Sequence, residues 1–100
     1  MSKTLEQRLT EDRRLVLLRC LADLPGMRSN SSVLHGHLDH WGHSVSRDYV
    51  KTQLRWLGEQ ELVTLVDAGG VLVATLTERG HDVVAGTARV DGVARPLPKA

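Results

Sequence analysis

The sequence contains no phenylalanine, and Trp41, Tyr49 and Trp56 are its only aromatic residues. Its core must therefore be built from aliphatic side chains, chiefly leucine and valine. Apolar residues nevertheless make up 41% of the 100 residues and charged residues 25%, a balance that excludes a disordered chain. Because a chain of this length builds one compact core, we expect a single folded domain.

Cysteine is also scarce, since Cys20 is the only one. No internal disulfide can form, and its position between Leu18 and Leu21 predicts a buried, unreactive thiol. No apolar run approaches the roughly twenty residues that span a bilayer, and residues 1–9 lack the apolar block of a secretory signal. We therefore predict a cytoplasmic protein with no membrane contact.

Catalytic motifs are missing as well. The sequence has no glycine-rich phosphate loop, no nucleophile elbow and no His-Glu metalloprotease helix. The chain is also small for a catalytic cleft. We therefore expect a protein without enzymatic activity and without a cofactor.

What is present begins with signals for helices. Thr4 and Gln7 have the spacing of a capping box and predict a short capped turn. Thr10, which is followed by two acidic residues, predicts the start of the main helix. A proline-glycine pair at 25–26 predicts its end.

The middle of the sequence predicts two helices joined by a tight turn. A polar loop is expected over residues 28–31, followed by a helix capped by Ser31 or Ser32. Gly42 ends that helix, and Ser46 is placed to cap a third one. The second helix is predicted to share one apolar face among Leu34, Leu38 and Trp41, and the third among Val50, Leu54 and Leu57.

A change of pattern after the third helix predicts a β-hairpin. Residues 62–66 and 71–76 are apolar and rich in β-branched side chains, and residues 67–70 have turn chemistry. Thr77 then caps a last short helix, which Gly86 closes.

This order of elements predicts a winged helix-turn-helix. The fold class is mainly α with a small β-hairpin (α+β): a three-helix core, a two-stranded wing and a following helix. We place the domain at residues 1–87 and an extended basic C-terminal arm, poorly ordered unless something holds it, at residues 88–100.

Two phrases of the sequence also resemble known families. WLGEQELV at residues 56–63 is similar to the WLEEQGLV-like phrase that leads into the wing of bacterial winged-helix regulators, including the ArsR and MarR-like groups. LTERG at residues 76–80 is similar to the phrase that follows their wing. Over nearly its whole length, including residues 92–96, the chain resembles the small ArsR-like winged-helix proteins of Mu-like transposable bacteriophages and prophages. The resemblance implies a winged-helix fold and a phage or prophage origin in a bacterial host.

The third helix of such a fold enters the major groove of DNA. Its side chains and those of the preceding turn are of the types that contact phosphates and bases, so we predict double-stranded DNA as partner and a role in transcriptional regulation. The predicted DNA-binding residues are Ser44, Ser46, Arg47, Lys51, Gln53 and Arg55. In the alternative interpretation, Lys51 and Arg55 only pair with Asp48 and Glu59 on a solvated helix face.

The predicted wing favours a second function. Its tip, residues 67–70, carries one carboxylate and no lysine or arginine, unlike a wing that binds phosphate. The alternative is a phage structural or packaging accessory that uses the winged-helix surface to bind a phage protein.

Histidines cluster in and after the second helix. The cluster has no carboxylate and thiol set at metal-site spacing, and the Cys-x-Cys pattern of metal-binding ArsR sensors is missing, so we predict no metal site. The clustered histidines are His35, His37, His40 and His43.

A homodimer is a further expectation. It would use residues 4–9 and the apolar residues around Val83, Val84 and Val90.

Overall fold

The computed structural model describes residues 2–97. Its elements in chain order are α1 (Leu5–Asp23), a 3-10 turn (Pro25–Met27), β1 (Arg28–Asn30), α2 (Ser31–His40), α3 (Arg47–Glu59), β2 (Val63–Ala68), β3 (Val71–Leu76) and α4 (Glu78–Ala85). The strands form an antiparallel sheet in the order β1-β3-β2. This α+β arrangement matches a small winged-helix-like fold, as predicted, but its sheet has three strands rather than two.

α1 is one continuous helix, so the predicted separate start at Thr10 is wrong. Thr4 Oγ1 accepts a hydrogen bond from the Gln7 backbone at 3.1 Å, and Gln7 Oε1 accepts one from the Thr4 backbone at 2.8 Å. This capping box provides hydrogen-bond partners for N–H groups at the start of the helix, which have no acceptor within the helix, so no second cap is needed. The acidic residues after Thr10 are of the type found in the first turn of a helix, but one of them, Glu11, forms an ion pair with Lys3 at 2.7 Å.

The core is aliphatic and centred on α1, as the lack of phenylalanine required. α1 buries five residues, among them Leu18 and Leu21 with no exposed surface. Cys20 is among the five, and its burial, together with the charge of nearby Asp23, raises its pKa to about 11. The thiol therefore stays protonated near neutral pH, which agrees with the predicted unreactive cysteine.

β1 replaces the loop that we predicted over residues 28–31. Arg28 pairs with Thr75 and Asn30 with Val73 across β3. The cap of α2 is also shifted, because Asn30 Oδ1 accepts from the Val33 backbone at 2.9 Å. Ser31 is buried instead, where its hydroxyl accepts a hydrogen bond from the Leu72 backbone at 3.1 Å. The predicted loop is therefore wrong, because β1 occupies most of it. The predicted cap at Ser31 or Ser32 is also wrong, because the cap lies at Asn30, just before these residues.

The predicted apolar face of α2 is correct for Leu34 and Leu38 and wrong for Trp41. Both leucines are fully buried, whereas Trp41 is 62% exposed. α2 ends at His40, and Trp41 is its C-cap with φ −89° and ψ 13°. Because the helix ends one residue before Trp41, the helical spacing that predicted Trp41 on the leucine face does not apply to it.

The hairpin and α4 follow from their turn and cap residues. Gly69 and Gly70 have φ of +61° and +94°, which suits a two-residue hairpin turn and makes β2 longer than predicted. Thr77 caps α4 as predicted, since its Oγ1 accepts from the Gly80 backbone at 3.0 Å. A Cβ at Gly80 would overlap the Leu62 carbonyl oxygen and lie 2.6 Å from Leu76 Cδ1. Only glycine lets α4 pack this closely on the base of the hairpin.

The segment after α4 has no regular secondary structure but is held against α1. Val93 is buried, and the Ala94 backbone N–H donates to the Glu11 carbonyl at 3.1 Å. Residues 98–100 of the predicted arm lie outside the described residues. Among residues 2–97, no helix has the length and apolar character needed to cross a membrane.

Candidate nucleic-acid interface

α2 and α3 form a helix-turn-helix unit joined by residues 41–46. α3 is capped as predicted, because Ser46 Oγ accepts from the Tyr49 backbone at 3.0 Å. Its inner face is buried through Val50, Leu54 and Leu57. Since the inner face fixes the helix against the core, the opposite face is presented to solvent.

Two of the clustered histidines brace this turn. His35 Nε2 lies 2.7 Å from the Val45 carbonyl oxygen, so it donates there when protonated. His43 accepts from Arg13 Nε at Nδ1 (3.2 Å) and lies 3.0 Å from Asp12 Oδ2 through Nε2. A neutral ring with the proton on Nε2 makes both contacts. These histidines thus tie the turn to α1 and α2.

The other two histidines form an exposed cluster with Trp41. Trp41 Nε1 donates to His37 Nε2 at 3.1 Å, and the His40 ring meets the indole edge-on at 5.8 Å. Within residues 2–97, no three His, Cys, Asp or Glu side chains are close enough together to hold a metal ion.

Five of the six predicted DNA-binding residues lie on the outside of the helix-turn-helix unit. Ser44, Ser46, Arg47 and Arg55 are exposed and Lys51 is half-buried. Arg47 Nη1 donates to Ser32 Oγ at 2.6 Å, which places the first turns of α2 and α3 side by side. Lys51 Nζ donates to the Gly70 carbonyl at 2.5 Å, which links α3 to the tip of the hairpin.

Gln53 is the exception, because it lies on the buried face of α3 with 7% of its surface exposed. Its Oε1 accepts a hydrogen bond from Arg14 Nε at 2.8 Å. Gln53 is therefore engaged inside the molecule and does not belong to the outer surface with Arg47, Lys51 and Arg55. Its spacing to Val50 and Leu57 placed it near the buried stripe, but its polar side chain favoured the opposite interpretation.

Arg14 organises a small network behind α3. Its guanidinium lies 3.8 Å from the Trp56 ring centroid and donates to the Gly92 carbonyl at 2.9 Å. Burial lowers the pKa of Arg14, while the charges of Tyr49 and Glu11 act in the other direction. The network joins α1, α3 and the C-terminal segment.

The outward face of α3 also contains Thr52, which sequence reasoning missed. Thr52 is exposed and lies one helical turn from both Asp48 and Arg55. Its hydroxyl and methyl groups are of the kind that contact base edges. The residue type alone gave no reason to predict Thr52 as a DNA-contacting residue, because only its position on the outward face of α3 distinguishes it from the other threonines.

The hairpin beside α3 has the opposite chemistry. Between Arg55 and Arg79 the sequence contains no lysine, arginine or histidine, but it contains four acidic residues: Glu59, Glu61, Asp67 and Glu78. The outer face of its strands is apolar, since Val66 is 63% exposed and pairs with Val73. Of these two neighbouring surfaces, only the helix-turn-helix one therefore carries cations that favour phosphate.

Comparison with solved structures shows the class of fold. The chain is similar to hsRosR in the structure of the hsRosR-S1 complex, with a TM-score of 0.65 and 17% identity over 80% of this chain and 70% of that one. At this level of identity the likeness shows a shared fold of the winged-helix type. It carries no information about individual contacts.

Relatives by sequence show the particular family. The chain is 55% identical over 92 residues to the uncharacterized protein gp26 of Escherichia phage Mu, which covers 92% of this chain and 95% of gp26. It is 44% identical over 72 residues to an uncharacterized protein of Haemophilus influenzae, covering 71% of this chain and 70% of that protein. The chain therefore belongs to the family of phage Mu gp26, as the predicted Mu-like resemblance implied. No family model matches it, and the ArsR part of the resemblance stays a prediction.

Proposed function

We propose that this chain is a DNA-binding winged-helix protein that regulates transcription in a Mu-like phage or prophage. The observation that carries the proposal is the presentation of α3, which is anchored by its buried face and carries Arg47, Lys51 and Arg55 outside the core. A helix held in this way fits the major groove of DNA. No catalytic step is part of the proposed function.

The joined first turns of α2 and α3 suit a phosphate group. Ser32 and Arg47 are hydrogen-bonded, so the N-termini of two helices, whose first N–H groups have no intrahelical acceptor, lie beside one guanidinium. Ser44 and Ser46 add hydroxyl donors to the same end. We assign phosphate contacts to this end of the unit.

Base contacts are assigned to the middle of α3. Thr52 and Arg55 lie on its outward face, and Arg55 can bind the O6 and N7 atoms of guanine with two hydrogen bonds. Asp48 and Glu59 border this face and oppose phosphates. Their charges limit non-specific affinity, so sequence-specific contacts must supply more of the binding free energy.

The test is fluorescence anisotropy of labelled duplexes taken from the neighbouring genome, with a random duplex beside them. We expect affinity to fall steeply between about 50 and 200 mM salt. The variant Arg47→Ala/Lys51→Ala/Arg55→Ala is expected to lose measurable binding. If it retains some, its salt slope should be smaller by about 2, since Arg47 and Lys51 are the phosphate contacts removed and each accounts for about 0.9.

A matched control keeps the charge change and moves it elsewhere. Arg8, Arg19 and Arg89 are exposed and lie outside the helix-turn-helix unit, so Arg8→Ala/Arg19→Ala/Arg89→Ala removes the same three charges. We expect this variant to keep most of the affinity. No binding to any duplex at low salt, or equal losses in both variants, would refute the proposed interface.

A dimer is part of the proposal, with two copies of α3 meeting half-sites about 34–36 Å apart. Val83 is buried and Val84 and Val90 pack against the core of the monomer, whereas Leu5 is 73% exposed at the start of α1. The first turns of α1 are therefore the better surface for a second copy. Sedimentation of the protein–duplex complex gives the number of chains bound.

The second candidate function is a phage structural or packaging accessory. It is favoured by the lack of any cation between residues 56 and 78, a range that contains the whole hairpin, and by the exposed Val66 on the outer face of the hairpin. This function predicts a stable protein assembly that does not respond to loss of Arg47, Lys51 and Arg55. The same anisotropy and sedimentation measurements separate the two functions.

A further inference from the structure

Within residues 2–97, no strand pairs with the outer edge of β2, which we call its free edge and which carries a row of unpaired backbone groups. β2 lies at the edge because the strand order is β1-β3-β2. The Thr77 N–H donates to the Leu62 carbonyl at 3.1 Å, and hydrogen-bonded pairs alternate along an antiparallel ladder. The peptide groups of Val63, Leu65 and Asp67 therefore point away from β3.

This edge lacks the features by which proteins usually block strand addition, such as shortness, bulges, proline and lysine. The opposite edge, β1, is only three residues long. β2 has six residues, contains neither proline nor lysine, and pairs with β3 in one unbroken register. A further strand can therefore align along its length.

A groove of about 780 Å³ runs between this edge and the C-terminal half of α3. Gly58, Val63 and Leu65 give it an apolar lining. A Cβ at position 58 would lie only 3.1 Å from Leu65 Cδ1, so glycine allows the helix and strand to come together here. Side chains of an added strand would alternate between this groove and the apolar outer face that contains Val66.

One end of the groove is acidic. Glu59 and Glu61 line it, whereas Arg55 is the only cation among its lining residues. Glu61 has φ of +61°, a conformation that favours glycine, and the winged-helix phrase similar to residues 56–63 has glycine at this position. This chain thus holds a carboxylate at the groove in a backbone conformation that costs stability.

We propose that the free edge of β2 is a protein-docking site for an extended, β-branched segment of a partner protein that carries lysine or arginine beside Glu59 and Glu61. The backbone groups of Val63, Leu65 and Asp67 hold the segment by β-strand addition. The acidic end fixes its direction. The site shares Arg55 with the proposed base contacts of α3, whereas Arg47 and the joined helix N-termini lie outside it.

The test uses a soluble probe peptide of about eight residues, with valine and threonine in the middle and two lysines at one end. Binding is followed by the amide NMR signals and by hydrogen exchange of the whole chain. We expect the Val63, Leu65 and Asp67 amides to shift and to become protected, while those of α1 do not change. A peptide with glutamate in place of lysine, or with N-methyl groups on alternate residues, is expected to bind at least about tenfold more weakly, a difference that one lost charge-assisted contact can produce.

Matched protein variants test the edge and the charge separately. Asp67→Pro removes an edge N–H without touching the ladder to β3, but it also removes the hydrogen bond that Asp67 Oδ1 accepts from the Gly70 backbone at 3.4 Å. Asp67→Ala removes that hydrogen bond and the charge while it keeps the N–H. We expect Asp67→Pro to weaken binding more than Asp67→Ala does. Glu59→Gln/Glu61→Gln should weaken it, and the remote pair Glu6→Gln/Asp91→Asn should not. Arg47→Ala should leave peptide binding unchanged.

Three results would overturn the proposal. The first is no binding of the lysine peptide, and the second is binding that ignores both N-methylation and the loss of Glu59 and Glu61. The third is protection of the three edge amides that rises with protein concentration without peptide, which would assign the edge to a second copy. If Asp67→Pro fails to fold, the N-methylated peptide still tests the backbone contacts on the unchanged protein.

Discussion

α3 and the β2–β3 hairpin lie side by side but differ in anchoring and in charge. α3 is fixed through Val50, Leu54 and Leu57, which are fully buried, and it holds Arg47, Lys51 and Arg55. The hairpin has an exposed tip, residues 66–70, and its strands and turn contain one acidic residue, Asp67, and no cation. The difference in charge places the proposed DNA contact on the helix and the proposed protein contact on the wing.

The largest expected effect compares the anchoring of the two regions. Leu54→Ala should lower the free energy of unfolding by about 2–5 kcal/mol, because it leaves a cavity under α3. Val66→Ala on the hairpin should change it by less than about 0.5 kcal/mol, since Val66 is exposed. Denaturant unfolding measures both values. Similar losses in the two variants would contradict the comparison.

An intermediate effect is expected from reversing the charge of the wing. Asp67→Lys/Ala68→Lys should increase the salt slope of DNA binding by about 2, because each new phosphate contact adds about 0.9. The control Asp91→Lys/Ala85→Lys makes the same charge change at exposed positions outside the hairpin and should leave the slope nearly unchanged. Anisotropy at several salt concentrations measures the slope. An unchanged slope in the wing variant would mean that the hairpin lies away from the duplex whatever its charge.

The smallest expected effect concerns the contact between the two regions. Lys51→Gln removes the hydrogen bond from Nζ to the Gly70 carbonyl, which should cost no more than about 1 kcal/mol of stability at this partly exposed position. Amide hydrogen exchange should become faster at the tip of the hairpin and stay the same in α3. Arg55→Gln, which changes a neighbouring cation without a bond to the hairpin, should not alter the tip. Equal exchange rates in the two variants would show that Lys51 does not hold the wing.

Local signals in the sequence predicted α3 and the hairpin well. Ser46 and Thr77 cap their helices as expected, because capping depends on residues only three positions apart. The glycines at 69 and 70 marked the hairpin turn for the same reason. These elements depend on short-range chemistry that a sequence displays directly.

Features that depend on distant partners were not predictable. β1 has no β-branched residue and is a strand only because β3, more than forty residues away, pairs with it. Gln53 is buried because Arg14, 39 residues away, supplies its hydrogen-bond donor. The outward chemistry of α3 was therefore predicted from residue type, but the choice between inner and outer positions needed the packed structure.

The contact between Gly80 and Leu62 shows why a sequence phrase shared by winged-helix proteins can reflect their common fold rather than a common partner. The phrase LTERG contains Thr77, which caps α4, and Gly80, whose missing side chain makes room for the Leu62 carbonyl. Both residues are required by the architecture, because one caps α4 and the other lets α4 pack on the base of the hairpin. Selection on this phrase would therefore act through folding, and proteins that bind entirely different partners are expected to share it. The residues that record a change of partner are expected at positions such as 52, 55 and 59, which are exposed on α3 and where the fold leaves the side chain free to vary.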